Sequence, residues 1–204
     1  IIQKQHRKFV YPPQVIFSVQ GGIGTHEEDE FLHRTYHMKS TGWGTPFLLV
    51  PEATTVEEET LGLLCAAKEE DLLLSRNSPF GIRFHYLKNT SAEKEKLERI
   101  RKGIPGSPCT EKHLAFNTEF TTVPICTASR KYQKLKIARL QSLNLPEPLY
   151  KKQLQDVLDK ECLCVGLSNS AAIHYNHTFI KNLKAVNICP GPNLVNFSKV
   201  VSLQ

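Results

Sequence analysis

A glycine turn set between an apolar run and an acidic run constrains this chain more than any other stretch. Residues 15–19 read Val-Ile-Phe-Ser-Val, short and rich in β-branched side chains, which predicts a buried strand. Gly21, Gly22 and Gly24 follow within four positions. Without Cβ atoms the backbone can turn tightly there and come close to a ligand. His26-Glu27-Glu28-Asp29-Glu30 then puts carboxylates where a helix dipole favours negative charge, so a helix is expected to begin at that point. Its unpaired N–H groups would face the turn, an arrangement that receives phosphate well. About twenty residues later, the run from Thr41 through Gly44-Thr45 to Val50 predicts a second strand with its own Gly-Thr pair, at the distance expected of one βα unit. The plainer alternative is a strand–turn–helix whose glycines only shape the turn and whose acids only serve the helix end.

Val19-Gln20-Gly21-Gly22-Ile23-Gly24-Thr25, a helix, then Gly42-Trp43-Gly44-Thr45-Pro46-Phe47-Leu48 and Pro51-Glu52-Ala53 resemble the last two βα units of flavin-dependent TIM barrels. The nearest likeness is to the nitronate monooxygenase (2-nitropropane dioxygenase-like) family, whose relatives include flavin-dependent enoyl reductases. It spans about forty of the 204 residues. Phosphate sites of such barrels lie after strands seven and eight. The resemblance therefore implies FMN as cofactor, with Gly21, Gly22, Gly24, Gly44 and Thr45 as its phosphate contacts. It also implies preceding strands that this chain does not contain. The expected fold is α/β: the last units of a (β/α)8 barrel over residues 1–103, then a cysteine-bearing α/β extension over 104–204, as part of a longer chain. The catalytic base and the flavin-ring contacts would then belong to the rest of the parent chain, which would be required for function.

The balance of residues fits a globular domain, with 40% hydrophobic and 23% charged, and no apolar run is long enough to cross a bilayer. A net charge of +6 could favour anionic partners. Yet the basic residues alternate with acids, as in Glu93-Lys94-Glu95-Lys96, which describes a solvated helix face. A small-molecule substrate is expected, with neither nucleic acid nor membrane as partner.

Residues 3–8 are basic, and Tyr11-Pro12-Pro13 should stop any helix before the first strand. Thr55-Val-Glu-Glu58 reads as a capping box opening a helix to about Asp71. Residues 82–87 suggest a strand, Thr90 caps a helix ending at Gly103, and residues 103–108 form the clearest loop. Thr127 or Ser129 should cap another helix, which Pro146 and Pro148 interrupt before a further helix to about Glu161. Residues 162–166 and 184–189 read as strands flanking a helix over 168–175.

Five of the six cysteines lie in the second half. Cys162-Leu163-Cys164 on a strand would point two sulfurs to one face. Together with Cys189 and either Cys109 or Cys126, that pair suggests the alternative to a flavin enzyme, a structural module binding a metal or an iron–sulfur cluster. Buried reduced thiols and disulfides are the other readings. A flavin enzyme normally works in a reducing compartment, so a cytoplasmic location with free thiols is expected. No metal ligand set and no catalytic residue can be assigned from spacing alone. His33 and His37 would share a helix face, and Trp43 lies beside the second Gly-Thr pair. Cys189-Pro-Gly-Pro-Asn193 forces a fixed turn.

Overall fold

A computed structural model of the chain describes residue 11 and residues 14–109, 111–177 and 184–203. The basic start and the Pro12-Pro13 stop lie outside the described residues. Among the described residues the chain is mixed α/β, with six α-helices and four short strands in two two-stranded sheets. It divides into two compact units, one ending at Trp43 and the other beginning at Gly44. The 103–108 loop runs inside the second.

The first unit is a βαβ. Strand β1 (Ser18–Gln20) and strand β2 (Ser40–Gly42) pair in parallel, with Ser18 opposite Ser40 and Gln20 opposite Gly42. Helix α1 (His26–Tyr36) connects them. Thr25 caps α1 through a complete capping box with Glu28, and Glu27, Glu28 and Asp29 occupy the first turn as the acidic run predicted. The expected buried strand is corrected here. Val15, Ile16 and Phe17 are 61%, 70% and 62% exposed and precede the strand, and α1 buries no residue. The predicted second strand also ends early, at Gly42. Thr45–Leu49 is instead a 3-10 turn with Pro46 near its start, because proline has no N–H for a ladder but tolerates a first helical position.

The second unit has a core. Helix α2 (Glu58–Ala66) sets Leu64 against Leu49, Val56, Leu87, Ile188 and Leu194. Glu57, rather than Thr55, caps α2 by accepting from Thr60 N, and the helix stops where Ala67 turns extended. Strands β3 (Leu72–Ser75) and β4 (Phe84–Leu87) form an antiparallel hairpin pairing Leu72 with Leu87. Thr90 caps α3 (Ser91–Arg101) as expected, and of the two candidates Thr127 and Ser129 it is Ser129 that caps α4 (Arg130–Ser142). Helix α4 packs against α5 (Glu147–Leu158), the two separated by the turn that ends at Pro146.

Residues 163–174 form a helix, α6 (Leu163–His174), and not the strand expected at 162–166. Leu163, Val165, Gly166, Asn169, Ser170 and Ala172 are buried along it, burial over half its circumference that the short apolar run concealed. Gly166 does not break the helix but admits a neighbour. A Cβ there would stand 2.9 Å from Asn187 Nδ2, and Asn187 N donates to Gly166 O at 3.0 Å. The expected strand at 184–189 is instead a segment outside any strand, with no ladder partner among the described residues. Its groups bond to helices instead: Val186 N to Ser91 Oγ, Val186 O from Ala92 N, and Ala185 O from Asn169 Nδ2.

Candidate functional site

Two places in the fold carry candidate chemistry, and the first is the glycine turn between β1 and α1. Parallel pairing puts the carboxyl ends of β1 and β2 at one edge, where ligands of α/β folds are received. Gly21 and Gly22 have φ of +91° and +76°, the left-handed region that favours glycine, and a Cβ at either would meet nothing within 4 Å. Beyond them, Gly24 N and Thr25 N both donate to Glu28 Oε2, at 2.7 and 3.1 Å. Two successive amides thus converge on one anionic oxygen, and that oxygen belongs to the chain itself.

The other residues near this turn are engaged locally. Trp43 Nε1 donates to Thr41 Oγ1, and Thr41 Oγ1 donates to Asp29 at 2.5 Å, which holds the Asp29 carboxyl below the usual carboxylate range. His33 is not paired with His37 as a metal pair. His33 Nδ1 lies 2.7 Å from Met38 O, and His37 ends α1 in a left-handed conformation. Gly44 and Thr45 open the second unit. A Cβ on Gly44 would meet nothing within 4 Å, and the buried Thr45 hydroxyl accepts from Gly191 N at 2.9 Å. Gly191, in the Pro-Gly-Pro turn, has no room for a side chain because its Cβ would collide with that hydroxyl.

The second place is a cavity of about 140 Å³ in the second unit, lined by Cys109, Cys126, Cys162 and Cys164. Three separate segments bring these thiols together. Ser107 N donates to Ala128 O and Arg130 N to Ser107 O, at 2.8 and 3.0 Å, which ties the approach to Cys109 against the exit from Cys126. Asn117 and Ile125 exchange a second pair of backbone bonds inside the loop between those cysteines. Cys162 sits at the N-cap of α6 and Cys164 in its first turn.

The residue before Cys162 anchors the third segment. Glu161 is buried and accepts from Tyr86 Oη at 3.0 Å and from Asn187 Nδ2 at 3.1 Å, while Lys96 Nζ lies 2.6 Å from its Oε1. Its own N–H donates to Asn77 O. Nothing in the sequence marks this anchor, because Glu161 is one acid among several in a charged stretch. Lys112, His113 and Lys131 add basic groups to the cavity wall.

Burial pushes the Cys109 and Cys126 thiols above the ordinary cysteine value. Cys162 is pushed up strongly, by its hydrogen bond to Cys164 and by burial. The same contact holds Cys164 below the ordinary value, assisted by the Val165 N–H at the start of α6. The sequence grouped Cys162, Cys164 and Cys189 with one of Cys109 and Cys126. The structure brings Cys109 and Cys126 both to the cavity and leaves Cys189 beside the His85 backbone instead. All six cysteines are free. Among the described residues no three His, Cys, Asp or Glu side chains already stand in place to hold a metal ion, and no helix is long and apolar enough to cross a membrane.

No family model matches this chain, and no curated protein matches it either.

Proposed function

We propose that this chain is part of an FMN-dependent oxidoreductase, nitronate monooxygenase-like or enoyl-reductase-like, and that it supplies the contacts to the flavin phosphate. The supporting observation is the glycine turn at the carboxyl end of a parallel βαβ, with amides that converge on an anion. Glu28 is the stand-in. A phosphate at this turn would take the place of its carboxylate on Gly24 N and Thr25 N, against open space at Gly21 and Gly22. In the second unit, the resemblance adds Gly44 and Thr45. The Thr45 hydroxyl accepts from Gly191 N–H at 2.9 Å.

Bound FMN would supply the hydride and electron chemistry. The part of this chain is to hold it, with a (β/α)8 barrel completed by the rest of the parent chain, and with a small-molecule substrate and a cytoplasmic setting. Gly44 offers the clean test, because its backbone is not left-handed and its Cβ would meet no neighbour. In the parent protein purified anaerobically, acid denaturation should release FMN, and Gly44→Leu should lower flavin content at least tenfold without lowering thermal stability. Equal flavin in the variant, or a wild-type protein that neither contains nor takes up FMN, would sink the assignment.

A further inference from the structure

We propose that Cys109, Cys126, Cys162 and Cys164 hold an iron–sulfur cluster in the second unit. Four thiols from three segments line one cavity, and thiolates are the ligands such clusters use, four to a cluster. The four cysteines are half-buried around a cavity that opens to solvent, so a ligand can enter between them. The cavity is about 140 Å³, several times the roughly 30 Å³ share of one water molecule.

A zinc ion would draw the same sulfurs to about 2.3 Å from one point, whereas a cluster holds them over the irons of a cage with inorganic sulfide between, so iron and sulfide content tells the two apart. Charge favours an anionic occupant. Four thiolates give the assembly a net negative charge, and Lys112, His113 and Lys131 stand on the wall. The backbone bridges at Ser107 and Ser129, and the Glu161–Lys96 pair, fix the three segments before anything binds. None of this depends on FMN being held at the glycine turn.

The test is elemental and spectroscopic analysis of the full protein purified without oxygen. Iron and acid-labile sulfide should be present in equal amounts with broad visible absorption, or should be taken up when ferric and ferrous iron and sulfide are added without oxygen to chelated protein. Cys126→Ser and Cys162→Ser should each lose at least nine-tenths of that iron, while Cys65→Ser and Cys189→Ser keep it. Alkylation of the unaltered protein guards against variants that fail to fold. Loaded protein should be labelled at Cys189 and protected at the four cavity cysteines, with protection lost after chelation. Zinc without iron, a disulfide among the four, full labelling of the loaded protein, or failure to take up iron and sulfide would each overturn the proposal. Flavin released from the same sample reads the phosphate site separately.

Discussion

The two units of this chain are stabilised in opposite ways. Up to Trp43, order comes from local devices: a capping box, two left-handed glycines and three parallel residue pairs. Helix α1 buries nothing, and Phe31 and Tyr36 stack edge-to-face while more than half exposed. A two-stranded pair with one such helix is marginal in water without further cover. From Gly44 onward, Leu49, Leu64 and Leu194 are almost fully buried and a buried carboxylate is satisfied three ways. Stability there rests on long-range burial. The comparison teaches that a motif legible in the sequence need not be the part that holds the molecule together.

The largest expected effect tests the buried carboxylate. Lys96→Met leaves Glu161 without its cation in a place where water cannot replace it, and breaking one side of a buried pair costs about 3–5 kcal/mol. The urea midpoint of the second unit should fall accordingly, and amides of α6 should lose hydrogen-exchange protection with it. Protection of α1 should not change. Unchanged stability in Lys96→Met would mean that Tyr86 and Asn187 suffice, and the contrast between the units would weaken.

The next effect runs the other way. Gly22 has φ of +76°, where an L-residue with a Cβ is strained even though its Cβ meets open space. Gly22→Ala should cost about 1–2 kcal/mol, read as faster exchange of the α1 amides with the second unit's midpoint unmoved. If both shift together, the units unfold as one and the division is only geometric.

Legibility followed the range of the interactions. The glycine turn, the acidic helix start, the Thr90 cap, Ser129 as one of two candidate caps and the stop at Gly103 were readable because each acts over a few residues. Residues 15–19 misled because hydrophobicity predicts burial only where something covers the face, and here Val15 to Phe17 are exposed. Residues 162–166 misled because a short apolar run fits a strand and a buried helix alike, and the neighbour that packs over Gly166, Asn187, lies twenty-one positions on. The cysteine cavity was half legible. Cys162 and Cys164 announced themselves by spacing, but only the bridges Ser107–Ser129 and Asn117–Ile125 bring Cys109 and Cys126 to the same place, and Cys189 was a false partner.

The smallest effect lies in the loop that carries the first two cavity cysteines. Glu119 accepts from Tyr132 Oη at 2.9 Å, Lys136 Nζ at 2.7 Å and Arg139 at 2.9 Å, fastening that loop to α4. Burial alone would raise its carboxyl, but the hydrogen bonds from Lys136 and Tyr132 and the charges of Lys136 and Arg139 outweigh it and hold the group below the ordinary value. A carboxyl depressed by folding binds its proton less readily in the native state than in the unfolded chain. Its contribution is therefore complete above the unfolded value, about 4.3, and is lost as the pH falls through the lowered native value. Part-exposed pairs are screened, so Glu119→Gln should cost only about 1 kcal/mol at neutral pH, and less in high salt. Urea midpoints of the two proteins should stand a constant distance apart above the carboxylate range and draw together in acid. A gap that persists in strong acid would assign Glu119 to packing instead of charge, and the second unit would then owe this loop, too, to burial.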